Sequence, residues 1–223
     1  EFWRRDFVRY RSEDLAPVQH KLSKLLVSDS VSLMLSQSES RISIDHVMDD
    51  GLVFLADLST VGMETREVLG SLLLSLVHLA ALGRNQMPPE KRRPFYVYCD
   101  EAHRFVTDTL EDLLAETRKF GVGLTLAHQY LSQFERRKVD ALSTVGASLI
   151  FRVDARDAQY LTKNLMGAFD VESLTQLAPR SVIGRIGSRV TPFTTDPIRS
   201  DPPEHVRDRI LAICREKYYR PSE

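Results

Sequence analysis

Cysteine is scarce: Cys99 and Cys214 are the only two in 223 residues. No disulfide framework or cysteine-rich zinc site can be built from them, and the count fits a reducing compartment, so a cytoplasmic location is expected. Net charge is also nearly absent, with 30 Lys plus Arg against 31 acids and a balance of -1. Such a chain has no global pull toward nucleic acid or a membrane surface, and any DNA contact must be local. Long hydrophobic runs are lacking too. The opening Glu1-Phe2-Trp3-Arg4-Arg5 carries no signal-peptide run, and the one extended apolar stretch, near 68 to 82, is shorter than a bilayer requires. It reads as a helix buried between layers, with no membrane contact by this segment.

What is present is ordinary for a folded protein: 43% apolar and 27% charged residues, in a chain long enough for one sizeable core. Residues 1 to 50 read as a helical segment. Its first residues interleave Phe2, Trp3, Phe7 and Tyr10 with arginines. That mixture suits either a base-stacking surface or a helix with buried aromatics, and the helical spacing favours burial. Pro17 suits a first helical turn, followed by an apolar face of Val18, Leu22, Leu25 and Leu26. Ile42 and Ile44 lead through the Asp49-Asp50-Gly51 turn toward a sheet.

Residues 51 to 200 read as the core. Leu52 to Ala56 predicts a buried strand that ends at Asp57, and a helix from Glu64 or Thr65 runs to about Leu82, apolar around nearly its whole circumference. Phe95 to Cys99, Gly121 to Ala127 and Ser148 to Val153 predict further strands. A helix over Thr109 to Phe120 turns Leu110, Leu113 and Leu114 to the core. A short helix from Ala155 to Leu165 precedes a hairpin, Ser181 to Ile186 and Arg189 to Phe193, turning at Gly187-Ser188. Residues 201 to 223 form a Pro-rich linker and an amphipathic helix from Pro203 to Tyr218. Strands alternating with helices imply a parallel α/β sheet whose ligand lies outside the carboxyl ends of its strands. Those ends carry Asp57, Asp100-Glu101 and His128-Gln129, which could converge.

Two adjacent carboxylates at the end of the apolar strand Phe95-Tyr96-Val97-Tyr98-Cys99 need a reason. One is nucleotide hydrolysis. Mg²⁺ prefers oxygen ligands and keeps several waters, so Asp100 could hold it through water. Glu101, pointing to the other side of an extended chain, could orient or deprotonate the attacking water. The other reason is a helix start, where negative charge is favoured by the dipole. This stretch alone leaves both open.

Its neighbours are more specific. Asp100-Glu101, the run Thr117-Arg118-Lys119-Phe120-Gly121-Val122-Gly123-Leu124-Thr125-Leu126-Ala127-His128-Gln129 and Tyr130-Leu131-Ser132-Gln133 together resemble the conjugative coupling proteins of type IV secretion. These form the TraD/TraG-like branch of the HerA–FtsK superfamily of ring-shaped, DNA-pumping P-loop ATPases. Further matches fall at Leu55 to Ser59, Leu69 to Leu73 and Phe151 to Ala158. The resemblance implies a RecA-like α/β fold, a mostly parallel sheet flanked by helices, with ATP and Mg²⁺ as cofactors. It makes Asp100 the Walker B aspartate, Glu101 the catalytic glutamate and Gln129 the polar sensor of the γ-phosphate or attacking water. It also makes Arg118 an arginine reaching a neighbouring subunit's site, with Lys119 sharing that role. Implied partners are DNA, further copies in a hexamer, and secretion or DNA-processing proteins. Without the resemblance, Arg118 and Lys119 are a solvated helix end, Gln129 a helix-start residue and His128 a packing residue. Arg136, Arg137 and Lys138 are a candidate DNA patch whose simpler account is a solvated helix face.

One departure is sharp. Phosphate binding in such motors needs a Gly-rich loop ending Gly-Lys-Ser/Thr, and no Gly-Lys pair occurs in these residues. The sheet is therefore expected to be incomplete on its N-terminal side, the chain being the C-terminal part of a longer motor. The other account is a nucleotide-free RecA-like module that recruits a partner. The string Asp100-Glu101-Ala102-His103 also resembles the DEAH-box helicases, but the next strand ends in His128-Gln129 rather than their Ser-Ala-Thr.

Overall fold

The computed structural model describes residues 2–5, 7–9, 11–26, 29–40, 42–105, 114, 116–198 and 203–218. The chain divides into two compact units, Glu1–Arg93 and Pro94–Glu223.

The first unit is helical: α1 (Phe2–Arg5), α2 (Ser12–Leu26), α3 (Asp29–Leu35), α4 (Ile44–Asp49) and α5 (Met63–Gly83). Tyr10 lies outside the described residues, and Phe7 is half-buried. α2 starts before Pro17, because Asp14 closes its first turn by accepting from the Arg11 N–H at 2.9 Å, and Glu13 and Asp14 suit the N-terminal dipole. Its Val18, Leu22 and Leu26 are exposed rather than packed. The approach to a sheet expected at Ile42 and Ile44 is instead α4. Ser43 caps it, its side chain accepting from the His46 N–H at 3.4 Å.

α5 is 21 residues long, longer than its apolar run, because Glu64, Arg66 and Glu67 extend it at the N-terminus. It buries one face through Leu69, Leu74, Val77 and Ala81, while Leu72, Leu76 and Leu79 are exposed. Burial on all sides is thus not observed. By length and composition alone, Met63–Gln86 could cross a membrane, with a mean hydropathy of 1.4. Past α5 the buried Arg84 donates through Nε and Nη2 to Asp49 Oδ1 at 3.0 and 2.7 Å, and through Nη1 to the Arg93 carbonyl at 3.0 Å. A buried guanidinium is tolerable only with its donors used in this way.

The strand expected over Leu52 to Ala56 does not form. Residues 52–58 join no sheet, and Val53 and Leu55 are 85% and 76% exposed. Strand-forming side chains do not suffice without a ladder partner for the backbone N–H and C=O groups.

In the second unit, β1 (Phe95–Cys99) and β2 (Val122–Leu126) pair in parallel, in register from Phe95↔Val122 to Cys99↔Leu126. Of the helix expected over Thr109 to Phe120, Leu110 and Leu113 lie outside the described residues. Thr117–Phe120 is a single 3₁₀ turn, and Leu114 packs toward Ala102 and Phe134. Gly121 ends this turn at φ 79, a left-handed conformation that glycine adopts without steric cost, and its carbonyl accepts from the Phe95 N–H at 2.9 Å to start the parallel ladder. α6 (Arg136–Ser143) follows β2.

The fourth expected strand, β3 (Ala147–Ile150), does not extend the parallel sheet. It pairs antiparallel with β4 (Ser181–Ile186), which forms the expected hairpin with β5 (Arg189–Thr194). Between β3 and β4 lie α7 (Ala155–Asn164), capped by Asp154, and α8 (Val171–Thr175), capped by Asp170. Ile150 and Ile183, directly opposite in register, project to one face, where they meet Ala158 of α7, Leu165 and Leu174 of α8 to form a core. The C-terminal helix α9 (Glu204–Tyr218) occupies the expected span.

Candidate functional site

Parallel pairing of β1 and β2 puts their carboxyl ends side by side. The pairing continues past the strands: the Ala127 N–H donates to the Cys99 carbonyl and the Ala102 N–H to the Ala127 carbonyl, each at 2.9 Å. The acid pair and His128-Gln129 are thereby held across from each other. Gln129 Nε2 donates to Glu101 Oε1 at 2.8 Å. The other carboxylate oxygen, Oε2, lies 3.7 Å from His103 Nδ1 and 3.8 Å from Arg104 Nε.

Glu101 is not extended, as the alternation of side chains along a strand required. Its φ of 52 and ψ of 41 place it in the left-handed region, at a cost of about 1–2 kcal/mol for a residue with a Cβ. The Asp100 carboxylate helps hold this turn by accepting the Glu101 N–H at 2.9 Å. The Glu101 side chain makes no capping bond to the 3₁₀ turn Ala102–Arg104 that follows. Glu101 is instead turned back toward Gln129, in a strained conformation of the kind that collects at functional sites. Gln129 directly precedes Tyr130, the N-cap position of the 3₁₀ turn Leu131–Gln133.

Beneath the pair, Ala102 and Phe134 are buried, and the rings of His103 and His128 meet Phe134 edge-on at 6.2 and 5.0 Å. His128 is thus a packing residue, as its sequence context suggested. Its imidazole is held below the usual histidine range, chiefly by burial and secondarily by nearby His103, against the opposing pull of Asp157 and a backbone hydrogen bond at Tyr130. Because the folded state takes up this proton less readily than the unfolded state, the associated stability is fully present above about pH 6.5 and is lost as pH falls below it. Thermal melts should accordingly show a lower midpoint at pH 5.5 than at pH 7.5, and His128→Gln should shrink the difference; an unchanged difference would refute the assignment. Burial also pushes the Cys99 thiol up to about 11, with Asp100 adding to the effect, which makes Cys99 an inert core residue.

Within the second unit, not every predicted residue joins this site. Arg118 and Lys119 are exposed at the amino end of β2, one strand length, about 16 Å, from the Gln129 end. Lys119 lies 3.5 Å from Glu116 Oε1 and over the Phe120 ring. Asp57 belongs to the other unit, where its Oδ1 accepts the Ser59 N–H at 2.9 Å. No group of three or more His, Cys, Asp and Glu among the described residues could hold a metal by itself. Asp100 is exposed at the strand end and offers hard oxygen ligands, which suits Mg²⁺ shared with a nucleotide and water. Sequence reasoning missed Arg104 beside Glu101 and the buried Asp157 beneath the loop that follows β2. The Asp154-x-x-Asp157 spacing, a cap ahead of an acidic first turn, could have revealed the latter.

A mixed helix-and-sheet chain whose parallel pair delivers two adjacent acids beside a polar strand end resembles the RecA-like α/β fold, with the sheet incomplete. The chain belongs to the type IV secretion-system coupling protein DNA-binding domain family, whose model matches residues 31–187. Among solved structures it is similar to the bacterial conjugative coupling protein TrwBdeltaN70, with 16% identity and a TM-score of 0.52, covering 60% of this chain and 38% of that one. The chain therefore spans well under half the length of that structure. VirB4 of Thermoanaerobacter pseudethanolicus also matches at 16% identity, over 64% of this chain and 40% of that one, with a TM-score of 0.49. So does the genome packaging NTPase B204 of Sulfolobus turreted icosahedral virus 2 in complex with ATP-gammaS, at 16% identity over 72% and 74%, with a TM-score of 0.48. No curated protein matches at a significant level.

Proposed function

We propose that this chain is the C-terminal part of a ring-forming ATPase that drives DNA translocation in type IV secretion, with its phosphate cradle supplied by chain outside these 223 residues. The observation that carries this reading is the 2.8 Å bond from Gln129 Nε2 to Glu101 Oε1. A strained carboxylate aimed at the amide that ends the neighbouring strand is an arrangement for handling a water molecule and for sensing a phosphate beside it. Asp100 would hold Mg²⁺ through water, and the ion would neutralise charge on the phosphates. Glu101 accepts the proton of the attacking water; Gln129 orients that water and fixes the carboxylate. Gln129 holds one oxygen of the Glu101 carboxylate, and His103 and Arg104 lie within ion-pair distance of the other, which orients the base.

Arg118 and Lys119, at the opposite end of β2, are out of reach of their own chain's Glu101. A guanidinium there serves a neighbouring copy's site, which requires the ring. Subunit mixing tests this in the intact ATPase. Arg118→Ala and Glu101→Gln are each expected to abolish turnover in homogeneous assemblies. Mixed assemblies are expected to recover activity, because some sites then join an intact Glu101 to an intact Arg118 of the adjacent copy. Absence of recovery would place Arg118 in cis or outside the reaction.

A further inference from the structure

The segment Phe151 to Ala158 enters neither the acid pair nor the sensor, yet among the described residues it contains the most deeply buried carboxylate in the second unit. Asp157 is 4% exposed. A carboxylate in that setting costs several kcal/mol unless its oxygens are hydrogen-bonded. Asp157 Oδ2 accepts the backbone N–H of Leu131 at 2.8 Å. Leu131 lies two residues beyond Gln129 and opens the 3₁₀ turn Leu131–Gln133. Asp157 itself is fixed from below: its N–H donates to Asp154 Oδ1 at 2.8 Å, the cap of α7. On the loop side, the Tyr130 N–H donates to Gln133 Oε1 at 3.1 Å, closing the turn on itself. Between the Ala127 ladder bonds that precede it and the buried Phe134 that follows it, the loop is thus tied at Leu131, and a contact leaves it at Gln129, toward Glu101.

We propose that Asp157 is the positioning residue for Gln129: from the first turn of α7 it fixes the sensor loop so that the Gln129 amide meets Glu101. A residue that only filled the core at this point would be apolar, since an unpaired carboxylate is among the costliest groups to bury. Asp157 has an acceptor where the loop presents a donor. The anchor also joins the sensor to the β3–β5 layer, because α7 follows β3 and packs Ala158, the next residue, against Ile150 and Ile183.

This inference rests on the assignment of Gln129 as sensor, and the test separates the two. Steady-state ATP turnover is measured in the intact ATPase for Gln129→Ala, Asp157→Ala and Asp157→Asn. Losing a hydrogen bond to a charged group that aligns a reacting pair should lower kcat in Asp157→Ala by about tenfold or more, with KM for ATP within about twofold. Asp157→Asn keeps a carbonyl oxygen for the Leu131 N–H and should restore kcat to within about threefold. In parallel, hydrogen exchange of the Leu131 amide in this chain should accelerate in Asp157→Ala, while amides of β4 stay protected. Impaired turnover in Gln129→Ala beside unchanged turnover per folded molecule in Asp157→Ala overturns the proposal alone. A loss of thermal stability in both Asp157 variants without a change in kcat does the same, and marks Asp157 as purely structural. Unchanged turnover in Gln129→Ala overturns the sensor assignment, and the proposal with it.

Discussion

Under the proposed function, Glu101→Gln in the intact protein should lower ATP turnover by roughly two to four orders of magnitude, the range lost when a general base is removed, while nucleotide still binds. The substitution is nearly isosteric. A glutamine carbonyl oxygen can accept the Gln129 Nε2–H that now reaches Glu101 Oε1 at 2.8 Å, so the turn between β1 and the following 3₁₀ segment should survive. What disappears is basicity: an amide cannot take the proton of the attacking water. The nearby Arg104 cannot substitute, because a guanidinium is already fully protonated and has no acceptor. His103 carries an imidazole, but its Nδ1 lies 3.7 Å from the Glu101 carboxylate and its ring is packed edge-on to Phe134. Turnover measured with saturating ATP and DNA, beside a binding assay with a non-hydrolysable analogue, checks this. Undiminished turnover would remove Glu101 from the reaction, and the proposed function would lose its base.

The parts of this site legible in the sequence are those set by local rules. An apolar run into two acids and a second apolar run ending in His128-Gln129 placed Asp100, Glu101 and Gln129 at strand ends that could converge, and the structure sets those ends side by side. The β4–β5 hairpin was equally readable, because Gly187 supplies the positive φ its turn requires. Properties that depend on a partner were not legible. Leu52 to Ala56 has the composition of a buried strand, but pairing is a relation between two segments, and in this structure residues 52–58 find no ladder. β3 has strand composition as well, and only its register with β4 makes it antiparallel. The left-handed turn at Glu101 was hidden for a different reason: nothing about a glutamate signals positive φ, and the conformation is held by Asp100 and Gln129 rather than by its own propensity. The Asp154-x-x-Asp157 spacing can mark the acid, but its bond to Leu131 joins residues 26 apart and has no local signature.

The largest expected loss of stability lies behind that anchor. Leu174→Ala should destabilise the second unit by about 2–5 kcal/mol, the cost of removing a buried leucine and leaving a cavity its neighbours cannot fill. Leu174 is 0% exposed, and it is surrounded by Ile150, Ala158, Leu165 and Ile183, with Val153, Leu161, Phe169 and Leu177 at the margin. With Val171 it packs α8 against both the sheet and α7, so little of the space it vacates can be closed by a single element moving. For a chain of this size the thermal midpoint should fall on the order of 5–15 °C. Leu149→Ala is the matched control: Leu149 is the neighbour of Ile150 on β3, but its side chain points to the other face and is 62% exposed, so the same truncation should cost about 0.5 kcal/mol or less. Equal losses at the two positions would mean that the core of the second unit is not where the structure places it. A loss confined to Leu174 should also loosen α7, which carries Asp157, and with it the tie to the Leu131 N–H. Packing in the β3–β5 layer would then reach the loop after β2 through the Asp157–Leu131 hydrogen bond, and hydrogen exchange at Leu131 in Leu174→Ala should rise even at temperatures where the unit remains folded.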